Sequence, residues 1–308
     1  MLPSSCSRIV VVAALLLLCG GARAVVLSGE YSQTDAIRSL QYANATYADS
    51  DAVASWNCGG SCNANPSFKV TSIVKGDDAH SLHAYVGVDE GSAQVVVALR
   101  GSATQQEQLM RQLVEPVLYD ITSGCGLECR VHAGFQRSYL AVRRTIRAAV
   151  VRDLMMHPDY NVLVTGHSVG GAVALLAAID VQAHVNRMFF VSRPIVSLYT
   201  FGMPHVGNRA FAVWAAGMLS RGSHFRITSR HDPVPRMLSS GSADFQHVPY
   251  EVYCSAADGT NCRVCEGSVD SDDPTCIAHT SNVNMRDHFF YFGERISGGA
   301  AGDAMLYL

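Results

Sequence analysis

Apolar residues recur at two different periods along this chain, and the change from one to the other predicts its elements. Residues 67–74, 81–88 and 94–99 are rich in β-branched side chains. They are separated by Lys75-Gly76-Asp77-Asp78 and Asp89-Glu90-Gly91, which reads as short strands joined by hairpin turns. Further on the period lengthens. Phe135, Tyr139, Val142, Ile146, Val150 and Leu154 fall three or four apart and form one stripe of a helix. Arg137, Arg143, Arg144 and Arg147 take the opposite side, where a solvated face is expected, and Pro158-Asp159 stops the helix. Residues 161–165 read as a buried strand, 170 to about 185 as an Ala-rich helix, 195–201 as a strand, 209–219 as a helix, and 224–228 and 248–253 as strands. Alternating strands and helices imply a mostly parallel sheet flanked by helices, and the N-terminal hairpins make that sheet mixed. No linker, charge block or repeat interrupts residues 25–308, so they are expected to form one α/β domain.

Composition sharpens this picture in two places. With 48% hydrophobic residues in 308 the chain buries a full core, and a formal charge of −3 offers no electrostatic attraction to nucleic acid. The first 24 residues stand apart: Arg8, an apolar run over 9–19, and small residues at Ala22-Arg23-Ala24 predict a cleaved secretory signal peptide. That run is too short to cross a bilayer, and no later stretch is long and apolar enough to do so. Secretion, or residence in the lumen of the secretory and endolysosomal pathway, changes how the cysteines are read. Cys58, Cys62, Cys125, Cys129, Cys254, Cys262, Cys265 and Cys276 remain after residue 24, an even number that implies disulfides in an oxidising compartment. Cys58–Cys62 and Cys125–Cys129 are local enough to pair, whereas the last four admit three pairings. Cys262-Arg-Val-Cys265 with Cys254, Cys276 and His279 has zinc-like spacing, but secretion favours bridges and no metal is expected. Asn44-Ala45-Thr46 is a candidate glycosylation acceptor.

Candidate chemistry centres on Gly166-His167-Ser168-Val169-Gly170, between the strand at 161–165 and the Ala-rich helix. A sharp strand-to-helix turn needs small residues on both flanks, lifts the serine hydroxyl clear of the sheet, and points a helix N-terminus at the reacting oxygen. A nucleophilic serine also needs a base and an acid to orient it. Asp180 sits within the Ala-rich helix and reads as a surface residue, and Asp244 as a solvated loop residue. Asp232, in Ser229-Arg230-His231-Asp232-Pro233-Val234-Pro235, follows a strand at the sheet end where such sites lie. His247, His279 and His288 all come late enough to serve as base. His288 is on the aromatic segment Asp287-His288-Phe289-Phe290-Tyr291-Phe292, but spacing alone does not choose among the three.

Six ordered segments resemble the class 3 lipase family, the fungal-lipase-like branch of the α/β-hydrolases. Beside the serine motif they are Val97-Ala98-Leu99-Arg100-Gly101-Ser102, Val131-His132-Ala133-Gly134-Phe135-Gln136-Arg137-Ser138-Tyr139, Thr200-Phe201-Gly202-Met203-Pro204-His205-Val206-Gly207-Asn208, Asp232-Pro233-Val234-Pro235, and Asp287-His288 with Tyr291-Phe292. His205 stands where the family usually has Arg. The resemblance implies an α/β-hydrolase fold, with Ser168 as nucleophile, Asp232 as acid, His288 as base, and Ser102 with the Val169 N–H as oxyanion hole. It implies a secreted triacylglycerol lipase working through an acyl-enzyme without a cofactor. Its partners would be an ester substrate and, transiently, a lipid surface. It also implies a lid over 103–112, and matches Cys125–Cys129 to a short bridge in feruloyl-esterase-like members. Feruloyl-esterase-like or phospholipase-type chemistry in the same fold, and a non-catalytic binding glycoprotein, are the rival readings. Oligomeric state is left open.

Overall fold

The computed structural model describes residues 29–76, 83–101, 115–190, 195–238 and 244–296. In chain order the strands are β1 (Phe68–Lys75), β2 (His83–Asp89), β3 (Gln94–Leu99), β4 (Pro116–Leu118), β5 (Arg130–His132) and β6 (Asn161–His167). They continue with β7 (Val196–Phe201), β8 (Gly207–Asn208), β9 (His224–Ser229), β10 (Phe245–Gln246), β11 (Glu251–Cys254) and β12 (Cys262–Val264). The helices are α1 (Gln33–Ala45), α2 (Ser50–Ala54), α3 (Gly60–Asn63), α4 (Ala133–Met156), α5 (Val169–Met188) and α6 (Arg209–Met218).

Among these residues the central sheet has eight strands in the order β1-β2-β3-β6-β7-β9-β11-β12. Its middle, β3 through β11, is parallel, and β1, β2 and β12 add antiparallel edges. Strands buried on both faces need apolar side chains at every position. In β3, Val95, Val97 and Leu99 face a core built with α4 and α5. Val96 and Ala98 face a second core with α1, Tyr42, Phe68 and Tyr199. A smaller sheet, β10-β8-β5-β4, lies where α4 and α6 begin. This is the α/β-hydrolase arrangement.

Two expectations, one for Asp180 and one for the arginines of α4, need correction. Asp180 is wholly buried, not a surface residue, and α5 turns it toward α4. There Tyr139 donates to its carboxylate at 2.7 Å, and Arg143 and Arg147 pair with it. Those two arginines therefore do not belong to a solvated face, although Arg137 and Arg144 are exposed as expected. A carboxylate in a helix interior looks like a surface residue until the neighbouring helix supplies its counter-charges. Asn44 is also buried, in the last turn of α1, where its Nδ2 donates to the Arg295 carbonyl at 3.3 Å.

The sulfurs are joined as Cys58–Cys62, Cys125–Cys129, Cys254–Cys262 and Cys265–Cys276. The third bridge crosses the β11–β12 hairpin at directly opposed residues. Glu251 lies beside Cys265 and Cys276, but those two sulfurs are bonded to each other and offer no thiolate to a metal. One helix among the described residues, α5, is long and apolar enough to cross a membrane, and it is buried in the core.

Candidate active site

The β6–α5 junction is built as the sequence motif demands. Ser168 directly follows β6 and is the N-cap of α5, with φ 57° and ψ −131°, a left-handed conformation costly for a residue with a Cβ. Its side chain makes no capping hydrogen bond, so the hydroxyl is not used by the helix. Gly170 permits the turn, because a Cβ there would run into the backbone of residues 99–101. Val169, the first helical residue, has an N–H with no acceptor inside the helix, and the positive end of α5 converges on the same point.

Two loops at the carboxyl ends of the strands bring the partners. Asp232 follows β9 and is fully buried. Its Oδ2 accepts from His288 Nδ1 at 2.8 Å and from the Tyr291 hydroxyl at 2.9 Å, and its Oδ1 accepts from the Val234 N–H at 2.9 Å. Burial, and then Asp232 itself, hold the Tyr291 phenol far above its ordinary range, so it stays a donor. With Nδ1–H committed to the carboxylate, Nε2 is the ring nitrogen left to accept a proton. Gly202 sits against all three groups, since a Cβ there would meet the Tyr291 hydroxyl, Asp232 Oδ2 and His288 Cε1. The two loops are tied to each other by Asp287, which is buried and pairs with Arg230 at 2.5 Å. It also accepts from the His231 N–H at 3.1 Å.

His167, the residue before Ser168, touches the base directly. Its Nε2 is 2.8 Å from the His288 carbonyl and its Nδ1 is 2.8 Å from the Tyr47 hydroxyl. A carbonyl only accepts, so Nε2 carries the proton and Tyr47 donates to Nδ1. Burial, and then His288, push the His167 imidazole far below its ordinary range, and it is neutral. The two rings are 4.4 Å apart. Were both charged, they would repel by about 4 kcal/mol at an effective dielectric near 20.

Of the residues singled out from sequence, Ser168, Val169, Asp232 and His288 come together here. Ser102 and the 103–112 segment lie outside the described residues, immediately after Gly101. His247 is elsewhere, stacked on His205 at 3.7 Å and bonded to the Pro235 carbonyl at 2.7 Å. Asp244 is exposed, and the His279 side chain is outside the description. Tyr47, His167, Asp287 and Tyr291 were given no role from sequence. The last three are all adjacent to, or three residues from, a residue that was, which is the one signal available for them.

A serine on a strained turn at a helix N-terminus, with a buried Asp–His pair across the same sheet edge, defines a serine ester hydrolase of the α/β-hydrolase fold. The chain belongs to the class 3 lipase family. The model of that family, Lipase (class 3), matches residues 96–241. A secreted mono- and diacylglycerol lipase of Fusarium solani is 30% identical over 273 residues, covering 82% of this chain and 74% of its own. A Rhizomucor miehei lipase is 29% identical over 242 residues, covering 78% of this chain and 62% of its own. The structure of Rhizomucor miehei lipase in its propeptide complex superimposes with a TM-score of 0.74 at 25% identity, over 87% of this chain and 83% of that one. A triacylglycerol lipase whose catalytic centre is described as a serine protease triad superimposes with a TM-score of 0.73 at 26% identity, over 87% of this chain and 97% of that one.

Proposed function

We propose that this chain is a secreted acylglycerol lipase in which Ser168, His288 and Asp232 act as a triad. The observation that carries the reading is the buried His288–Asp232 hydrogen bond at 2.8 Å beside a serine held at φ 57°. The Ser168 Oγ attacks the ester carbonyl carbon while its proton passes to His288 Nε2, and Asp232 stabilises the imidazolium that forms. The Val169 N–H and Ser102 receive the negative charge on the carbonyl oxygen, each donor being worth about 3 kcal/mol. His288 then protonates the departing glycerol oxygen. Water, deprotonated by the same imidazole, attacks the acyl-enzyme and releases the fatty acid. No step calls for a metal or an organic cofactor.

Relatives named as secreted, together with four disulfides, support an extracellular enzyme with residues 1–24 as its leader and 25–308 as one domain. Relatives named as mono- and diacylglycerol lipases make partial glycerides as plausible a substrate as triacylglycerol. Initial rates on triolein, diolein, tributyrin, phosphatidylcholine and a feruloylated sugar test the reading. Turnover of glycerides, lost in Ser168→Ala and after a serine-directed organophosphate, supports it. Turnover confined to phosphatidylcholine or the feruloylated sugar moves the enzyme to one of the rival ester classes.

A further inference from the structure

The triad explains how Asp232 holds the ring of His288, but not what sets the distance from that ring to Ser168. The two side chains stand on separate segments, one at the end of β6 and one on the 3-10 turn Met285–Phe289. A direct link joins those segments. The residue immediately before the serine, His167, is only 1% exposed and donates its Nε2–H to the main-chain carbonyl of His288 itself. Ser168 and His288 are therefore anchored to each other through one hydrogen bond and one peptide unit.

That bond exists for only one of the two neutral forms of the His167 ring. The Nδ1–H tautomer would turn a lone pair toward the His288 carbonyl and repel it. The carbonyl, which only accepts, places the proton on Nε2, and the Tyr47 hydroxyl then donates to Nδ1 and stabilises that form. Tyr47 stands just beyond the end of α1, on the far side of His167 from the base. Its hydroxyl also packs onto Gly101, where any Cβ would collide with it, and Gly101 directly precedes Ser102. Arg100 lies over the Tyr47 ring at 5.6 Å. Base, nucleophile and the segment leading to the oxyanion residue thus meet at one hydroxyl–imidazole pair.

We propose that Tyr47 and His167 are positioning residues for ester hydrolysis, a fixed-tautomer strut that sets the spacing between Ser168 and His288. This rests on the reading of His288 as base. A strut of this kind acts on the chemical step and leaves substrate binding alone, so its loss is seen in kcat and not in KM. A conservative replacement that restores the donor should restore the rate. Glutamine places its amide N–H near the position of imidazole Nε2, whereas leucine fills similar space with no donor.

The test measures kcat and KM on a soluble short-chain ester for His167→Leu, His167→Gln and Tyr47→Phe, beside His288→Ala. Misplacing a reacting group by about 1 Å costs up to about 100-fold in rate. His167→Leu is therefore expected to lose about 10- to 100-fold in kcat with KM within about twofold, His167→Gln to recover most of it, and Tyr47→Phe to fall between them. Wild-type kcat in His167→Leu, or a glutamine variant as slow as the leucine one, overturns the proposal. Should the leucine variant not fold, unchanged kcat in Tyr47→Phe overturns it and a loss with constant KM supports it. An active His288→Ala enzyme would instead bring down the triad assignment. A dead His288→Ala beside wild-type-like His167 variants would bring down only the strut.

Discussion

Alanine at Ser168, Asp232 or His288 is expected to lower kcat by about 10⁴-fold or more, and pairs of these changes should cost little beyond the worse single one, since the three act as a unit. Steady-state rates on tributyrin check this, with circular dichroism to show that each variant folds. His247→Ala is expected to behave differently. Its ring is buried against His205 and bonded to Pro235 in the loop after Asp232, so the loss should appear in the melting temperature with most of kcat retained. The same pair makes stability depend on pH. Burial lowers His205 to about 4 and His247 well below its ordinary value of 6.5. Both are neutral in the folded chain, whereas the unfolded chain takes up their protons once the pH drops below about 6.5. Stability is therefore complete above that pH and is lost as pH falls toward 4, by about 3 kcal/mol from His205 alone. Thermal melts from pH 7.5 to 4 should show the decline, and His205→Asn should flatten it.

At the level of elements, the parallel strands and the helices behind them were legible because their periodicity reflects their burial. The predicted 161–165, 195–201 and 224–228 strands are found as β6, β7 and β9, each within two residues at either end. The α1 helix was not read, because its buried face mixes Leu40 and Tyr42 with small and polar residues such as Ala36, Ser39, Gln41 and Ala43, which blurs the apolar stripe. The β4-β5-β8-β10 sheet was missed for another reason: its strands are two or three residues long, too short for alternation to register. Residue type alone also misjudged Asp180, whose meaning depends on α4. Tyr139, Arg143 and Arg147, four residues apart on one face of that helix, all bind its carboxylate. Asp180→Ala leaves two guanidinium groups without their carboxylate. Breaking a buried pair costs about 3–5 kcal/mol, and the low end applies here because both arginines are about one-fifth to one-quarter exposed and can rehydrate. Urea denaturation should show that loss. The combined Asp180→Leu, Arg143→Met, Arg147→Met chain should regain most of it, which a purely steric role for Asp180 would not allow.

For the whole molecule, the triad was legible because each member falls in an ordered motif, whereas the groups that orient it come from segments far apart in the chain. Tyr47 reaches His167 across 120 residues, and no local pattern marks such a pair. The family resemblance implies a lid over residues 103–112, a stretch that lies outside the described residues but whose sequence is informative by itself. Residues 103–112 read Ala-Thr-Gln-Gln-Glu-Gln-Leu-Met-Arg-Gln, with Leu109 and Met110, joined by Leu113, as the large apolar side chains and no aromatic among them. A lid opens at a lipid surface when apolar area hidden against the protein is transferred to lipid. Two or three such side chains, at roughly 25 cal/mol per Å², shift that equilibrium by a few kcal/mol at most, and the polar Gln-Gln-Glu-Gln stretch has nothing to gain from leaving water. Activity on tributyrin is therefore expected to show only weak interfacial activation, climbing through the solubility limit without a sharp step. A sharp jump at that concentration would overturn this expectation. Adding an aromatic at the polar end, as in Gln106→Trp, should steepen the step in the wild-type background, because it supplies the transferable area that the natural segment lacks.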